Sequence, residues 1–493
     1  MDRAAVVGTP EPLRFGEKVL IAAAMYFIAL KLVFALGGPP LSDEAYYWMW
    51  GRHIELSYYD HPPLQAWLQG LSHLLFGTSL FALRLPTFAA LAAVLLIFYL
   101  AARRLGGAGW RPVFLGSAVV FLASPLLGFL STVATHDYLL VALVMGSGYC
   151  FIRFFSDVEG GARGRQSDLF AAATLLGLAG LTKYTALFLA LAVMGTMLWR
   201  PRLRPLWRRW ELYAAALVTL ALQLPVLIWN AQENFASLLY QGSKLDGSGR
   251  LAGIDLGGMA SFLLQMAAVV SPFLLVPIAL RLFLARAESD FASVGKTLAI
   301  WLFWSATLTF LYVSNFSYVL WWWNAIALVL VLPFAGRRAG PIALGLHVAW
   351  GVLINTFFMI SFTIMPLGLL RAETDLSYGQ GELAAMVRNA QLAHGAQLIV
   401  ANRFQTASQL AFALDDPNVT AIAPSRDAFD DWFDPTAHLG EDAIVLVVRW
   451  DDTEYWKRHF TSIQLLEEHT VQRFDRTLAT YELWLAKGFT PSP

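Results

Sequence analysis

Residues Ser42–Pro63 read SDEAYYWMWGRHIELSYYDHPP. The stretch follows directly on the first long apolar run, Val19–Ala35, in a chain whose mean hydropathy is +0.55. It holds four carboxylates (Asp43, Glu44, Glu55, Asp60), two histidines (His53, His61) and four tyrosines (Tyr46, Tyr47, Tyr58, Tyr59). A chain that merely spans a bilayer has no need to crowd ionisable and aromatic groups at one mouth. Charge at the membrane edge of a helix bundle marks a functional site by default.

The rest of the chain supplies that bundle. It is 57% hydrophobic and 14% charged, against about 25% charged in soluble domains. The formal charge of +0 offers no electrostatic case for nucleic acid. The single cysteine, Cys150, lies in an apolar run and reads as a small core residue. The segment Met1–Lys18 is polar, and the apolar run after it has no convincing small-residue cleavage site, so it reads as a retained membrane helix.

A membrane helix needs about 20 apolar residues. Candidate spans cover roughly 19–37, 80–102, 112–132, 137–155, 211–230, 256–280, 297–315, 318–335 and 341–366. The segment 168–199 is longer than one span and shorter than two, and it carries LAGLTKY at its centre. A hairpin or broken helix there sets Lys183 at the tip. Basic residues cluster at Arg103, Arg104 and Arg111, at Arg163 and Arg165, along 200–210, at Arg281, Arg286 and Lys296, and at Arg337 and Arg338. Placing those loops in the cytoplasm gives about 11 spans if 168–199 crosses twice or re-enters. The N-terminus is then inside and the C-terminus outside. Ser42–Pro63, Thr135–Tyr138, the loop near 230–250 with Lys244 and Arg250, and the tail all face out.

The expected fold is therefore a polytopic α-helical membrane protein with a small C-terminal α/β domain on the outer face, divided as 1–370 and 371–493. In the tail, 397–401, 418–423 and 443–448 read as buried strands, and Phe404–Leu414 and Thr453–Phe460 as helices.

Several residues bear chemistry. Asp43 or Glu44 could act as general base toward a hydroxyl or amine acceptor; a loop acid also simply solvates a helix end. Asp60 and His61 return in the same loop before Pro62 and Pro63, which stiffen the chain. His136–Asp137 opens a span on the same side, where Asp137 either caps the helix or tunes the first acid. Asp43, Asp60, His61 and Asp137 leave a divalent-cation site open, although their spacing matches no standard ligand pattern. Lys183, between Gly180 and Tyr184, could meet a phosphate at the membrane edge. Arg84 is a second such cation, with snorkelling as the bland alternative for both. Lys31, inside the first span, reads as snorkelling or paired. Trp321–Trp323 fit an interfacial belt or, through Trp322, a stacking platform for a sugar. No GxxxxGK[ST] loop for nucleotide phosphates occurs.

Taken together, DEAYYW, YYDHPPLQAWL, RLP at Arg84, HDY at Asp137, GLTKYTA around Lys183, WNAQENF at Trp229 and NRFQTASQLAF at Asn402 resemble the GT-C superfamily of glycosyltransferases that use lipid-phosphate sugars. The likeness is to the branch of lipid A aminoarabinose transferases and lipopolysaccharide-core galacturonosyltransferases, related to protein O-mannosyltransferases. The resemblance implies that Asp43 is the catalytic acid of the first outer loop, that Asp137 is the second acidic position, and that Lys183 lies near the donor phosphate. Asp60–His61 sits where aminoarabinose transferases have an acid followed by a lysine. Tyr46 stands where they have an arginine. Both changes remove permanent positive charge from the expected phosphate site.

The resulting expectation is an inverting membrane glycosyltransferase of the bacterial inner membrane, with its site and C-terminal domain in the periplasm. The donor is a polyprenyl-phosphate sugar and the acceptor an envelope glycan or lipid, such as lipopolysaccharide core or lipid A. Asp43, Glu44 and Asp137 are the expected catalytic group. Lys183, His61, Arg84 and Tyr46 form the donor-phosphate group, and Tyr47, Tyr58, Tyr59, Asp60, His136, Tyr184 and Trp322 contact substrate. A protein O-glycosyltransferase, a transporter or flippase, and a binding module on a passive anchor are the alternatives. A transporter places its charge near the bilayer midplane, often at inverted repeats; here most charge lies in outer loops.

Overall fold

The computed structural model describes residues 12–244, 254–284, 286–331, 339–367, 376–449 and 454–491. Arg250, Arg337 and Arg338 lie outside the described residues.

The chain opens with α1 (Phe15–Gly37) and α2 (Ser42–Arg52). Pro39 and Pro40 between them have no N–H to continue the first helix. The second helix starts where the Glu44 carboxylate accepts the Leu41 N–H at 3.0 Å. Next come α3 (Leu64–Phe76), α4 (Leu80–Gly106) and α5 (Trp110–Ala123). Gly107, at φ 54°, takes a left-handed conformation between α4 and α5 that costs glycine little. The chain doubles back there. The rings of Phe98 and Phe121 lie 5.7 Å apart, whereas 23 residues of continuous helix would separate them by about 35 Å.

Then follow α6 (Pro125–Leu130), α7 (His136–Glu159), α8 (Gln166–Gly180) and α9 (Leu187–Trp199). The segment expected to break does so between α8 and α9, with Lys183 extended just before a short 3-10 turn, Tyr184–Ala186. The helices α10 (Trp210–Ala221) and α11 (Leu224–Gln232) meet at a 46° bend next to Pro225. A short α12 (Ala236–Ser243) precedes α13 (Leu256–Val270) and α14 (Pro272–Leu284), which break at Ser271–Pro272 within one expected span. The long helices α15 (Asp290–Val313) and α16 (Pro341–Thr363) complete the bundle.

The expected helix over 318–335 is corrected over its described part. Its helical piece is a six-residue 3-10 turn, Trp323–Leu328. Residues 324–331 are all buried, so the apolar run lines the inside of the bundle and its hydropathy does not report lipid. Among the described residues, five stretches are long and apolar enough to cross a membrane, or seven if each bent pair is one span. One of the five, Leu80–Ala123, is the α4–α5 hairpin. Lys31 is buried inside the bundle, where it donates to the Gly128 carbonyl, Ser131 Oγ and Thr132 Oγ1 and ties α1 to the end of α6.

The tail builds a mixed five-stranded sheet, ordered β2-β1-β3-β5-β4, from β1 (Leu398–Ala401), β2 (Thr420–Ala421), β3 (Ala443–Val448), β4 (Phe460–Arg473) and β5 (Arg476–Phe489). β1 pairs in parallel with β2 and β3, and β5 runs antiparallel to β3 and β4. The helices α17 (Gln380–His394) and α18 (Phe404–Leu414) pack on this sheet. A four-residue turn of helix, Glu454–Lys457, replaces the longer helix expected at 453–460, because Phe460 already belongs to β4.

The second helix is the joint between bundle and tail. Trp48 meets Phe412 of α18 at 5.2 Å, and Tyr46 meets Phe404 at 4.6 Å. On its other side Gly51 touches Gly70 of α3 so closely that a Cβ on either would come within 2.7 Å of the other's backbone.

Candidate active site

Neighbouring residues on a helix point about 100° apart, so Asp43 and Glu44 serve different faces of α2. Tyr47 lies one turn beyond Asp43 on the same face. Its hydroxyl stays protonated well above the usual tyrosine range, first through burial and then through the charges of Asp43, Asp60 and Asp137. Three acids from three segments thus converge on one hydroxyl. Tyr47 also packs edge-on against His136 at 4.2 Å, and the His61 and His136 rings lie 4.4 Å apart.

The break after α8 delivers Lys183 to this cluster, where its Nζ donates to Asp137 Oδ1 at 2.9 Å. Both groups are buried. Beside it Tyr184 exchanges a hydrogen bond with Ser237 at 2.9 Å. Asp60 accepts the Tyr46 hydroxyl proton at 2.8 Å, and that hydroxyl accepts the Ala428 N–H at 2.9 Å. Burial raises the Asp60 carboxyl above the ordinary range, with the Tyr46 and Tyr240 hydroxyls and Lys244 acting against it. Burial also holds His61 well below the usual imidazole range, reinforced by His136, Lys183 and Lys244.

Other expected site residues lie elsewhere. Glu44 and Arg84 face each other in the interior, 0% and 1% exposed, 2.6 Å apart. Arg84 spends its remaining donors on the carbonyls of Phe34, Gly38 and Pro39. Glu44 also accepts the Leu41 and Ala134 N–H groups. Neither has a free group for substrate, which corrects the catalytic expectation for Glu44 and the phosphate expectation for Arg84. Tyr46 is corrected likewise: its hydroxyl is committed to Asp60 and Ala428. Tyr58 is 1% exposed and sits under the loop, stacked on Trp50 at 4.3 Å and bonded to the Trp50 and His53 carbonyls. Substrate cannot reach it. Trp322 packs on Trp321 at 5.0 Å; it is Trp323 whose ring meets Lys244, at 5.9 Å. Among the described residues no group of three His, Cys, Asp or Glu side chains could hold a metal ion.

Residues from distant segments complete the site. Lys244 lies 3.9 Å over the Tyr240 ring, and Tyr240 packs on Tyr59 at 4.7 Å. The i, i+4 spacing of Tyr240 and Lys244 was a readable sign. The segment 426–432, RDAFDDW, closes over the loop from the tail. Arg426 covers the Tyr59 ring at 5.0 Å and pairs with Asp431 at 2.7 Å. Burial, then Asp430, Asp60 and Asp431, push Asp427 up to about 7. The Glu55 carboxylate accepts the indole N–H groups of Trp229 and Trp432, at 2.9 and 3.0 Å, and so bolts the loop to both bundle and tail. The density of acids in RDAFDDW was visible, but no local rule tied it to a loop some 370 residues earlier.

Comparison with known proteins finds likeness in sequence over part of the chain and in fold over nearly all of it. The family model described as dolichyl-phosphate-mannose-protein mannosyltransferase matches residues 60–229. A lipid A galacturonosyltransferase, RgtD, of Rhizobium johnstonii is 28% identical over 198 residues, 39% of this chain and 38% of that protein. The match thus spans well under half the length of that curated relative. The crystal structure of ArnT from Cupriavidus metallidurans in the apo state aligns with a TM-score of 0.66 at 15% identity, covering 95% of this chain and 98% of that one. The same protein bound to undecaprenyl phosphate aligns at 0.62, again at 15% identity, covering 95% and 97%. The chain thus shares the ArnT fold over nearly its whole length, and residues 60–229 match the mannosyltransferase family model.

Proposed function

We propose that the protein is a membrane glycosyltransferase that moves a sugar from a polyprenyl phosphate to an envelope glycan or lipid on the outer face of the inner membrane. The observation that carries this reading is the convergence of Asp43, Asp60 and Asp137 on Tyr47, with Lys183 at the tip of a broken helix among them. Transfer needs a base for the incoming hydroxyl or amine and positive charge where the leaving phosphate forms. Asp43, half-buried in the first turn of α2, serves as base. Lys183 and Lys244 stabilise the charge growing on the phosphate, the kind of preorganised electrostatic help that dominates many catalysed reactions. Asp137 holds the Lys183 ammonium in place until the phosphate arrives. Asp60, steered by Tyr46, completes the acidic wall toward the acceptor.

The binding of undecaprenyl phosphate by the ArnT of the same fold supports the donor class, and the lipid A galacturonosyltransferase relative supports a lipid A acceptor. The about 11 spans, with the loop and the tail outside, follow from the basic loops. The matched family model favours a second acceptor class, a protein hydroxyl.

The test is purified protein in nanodiscs with polyprenyl-phosphate sugars, offered lipid A, lipopolysaccharide core and a serine/threonine-rich peptide, with mass spectrometry of every component. A sugar-sized mass gain on a lipid or glycan with matching release of polyprenyl phosphate supports the proposal. Gain on the peptide alone moves the acceptor to protein, and no release from any donor refutes the transferase reading.

A further inference from the structure

We propose that His61 and His136 form a subsite that reads uncharged hydroxyls of the donor's sugar ring; this rests on the transferase reading and names what the site recognises. In this cluster two ring nitrogens, His61 Nδ1 and His136 Nε2, are buried without a hydrogen-bond partner. His136 is 1% exposed. A buried nitrogen left unpaired is costly, and two on rings 4.4 Å apart call for one ligand with several polar groups. The pair lies beside the Lys183–Asp137 bridge and against the Tyr47 ring, where the sugar next to a bound phosphate would sit.

The chemistry selects hydroxyls. Two imidazoles this close repel each other if both are protonated, and the charges facing His61 from the neighbouring segments include Lys183 and Lys244. Each ring therefore offers one N–H and one lone pair. A sugar hydroxyl is donor and acceptor at once, so it satisfies either nitrogen whichever tautomer is present. A phosphate or carboxylate only accepts, so it satisfies a ring only in the tautomer that turns an N–H toward it and leaves the other tautomer's lone pair unmet. Permanent cations for the phosphate stand elsewhere, on Lys183 and Lys244, so His61 is relieved of the task expected of it. Tyr47, whose hydroxyl remains protonated, is a further donor at the same place.

The test compares equilibrium binding of four probes in nanodiscs: undecaprenyl phosphate alone, and undecaprenyl-phosphate-linked glucose, galactose and galacturonate. Wild type, His61→Gln and His136→Gln are measured in parallel. The expected result is that the wild type binds at least one sugar-bearing probe roughly tenfold more tightly than undecaprenyl phosphate, the worth of a buried hydrogen bond or two. Each variant loses that preference while binding undecaprenyl phosphate as the wild type does. Galactose and galacturonate, which differ only at C6, lose it equally. Weakened binding of undecaprenyl phosphate itself would return the histidines to the phosphate and overturn the proposal. Loss confined to galacturonate would overturn it in favour of a carboxylate contact, as would a wild type with no preference for any sugar. Because binding is read without turnover, failure here is distinct from failure of the transfer reaction.

Discussion

Replacing Arg84 by alanine should damage the fold, not the handling of donor. The guanidinium makes two bonds to Glu44, at 2.9 and 2.6 Å, and bonds to the carbonyls of Phe34, Gly38 and Pro39 at 2.8 to 3.0 Å. It also covers the Phe34 ring at 4.0 Å. Hydrogen bonds to charged groups are worth about 1.5–3 kcal/mol each, but five of them in one network do not add. The governing quantity is the carboxylate left behind. Glu44 would keep two backbone N–H partners and lose its counter-ion while 0% exposed. Breaking a buried pair from one side costs about 3–5 kcal/mol. We expect that loss in chemical unfolding of the purified protein in detergent, followed by the fluorescence of its 18 tryptophans. The double variant Glu44→Gln, Arg84→Met should fall short of the summed single losses by at least about 1 kcal/mol, because it strands no charge. An Arg84→Ala protein as stable as the wild type but unable to bind undecaprenyl phosphate would refute this reasoning and return Arg84 to the donor site.

Three further outcomes follow from the geometry. Lys183→Ala should raise the Kd for undecaprenyl phosphate while leaving acceptor binding within about twofold; equal loss for both substrates would make Lys183 structural. Tyr46→Phe keeps the ring packing on Phe404 but removes a hydroxyl that holds the Asp60 carboxyl down. If ionised Asp60 serves the reaction, the acid limb of the pH–rate profile moves to higher pH, and an unmoved limb excludes that role. Asp427, raised from 3.8 to about 7, keeps in the folded state a proton that the unfolded chain has already lost across that window. Its contribution therefore makes stability fall as pH rises from about 4 to about 7. Asp427→Asn should flatten that decline, with the greatest gain in stability near pH 7 and above; an unaltered pH–stability curve would remove Asp427 as its source.

How far the sequence carried the reading depended on how local each feature was. Lys183 was legible because a lysine after Gly180 in an apolar run is hard to keep in an uninterrupted helix, and the chain breaks there. The strands β1 and β3 were legible as short buried apolar runs. The hairpin of β4 and β5 was not, since its turn uses Phe474 and Asp475 at positive φ where a reader looks for glycine or asparagine. The stretch 318–331 misled because burial within a bundle and exposure to lipid select the same apolar residues. At the site, residue types and sidedness were readable, but the choice among partners was not. Glu44 looked like Asp43 until the turn of α2 sent it toward an arginine 40 residues away. Tyr46 joins Asp60 to a backbone N–H 382 residues along the chain, and no spacing rule reaches that far.

The most direct measurement is release of undecaprenyl phosphate from an undecaprenyl-phosphate sugar by wild type and Asp43→Asn, side by side in nanodiscs with envelope acceptor present. The two proteins should unfold alike, since asparagine matches aspartate in shape and the substitution leaves the Glu44–Arg84 pair intact. Wild type should release undecaprenyl phosphate in step with glycosylated acceptor. Asp43→Asn should do so roughly 100- to 10,000-fold more slowly, the usual worth of a general base, with donor affinity unchanged. Equal rates in the two proteins would contradict the assignment of Asp43 and with it the proposed chemistry of the site.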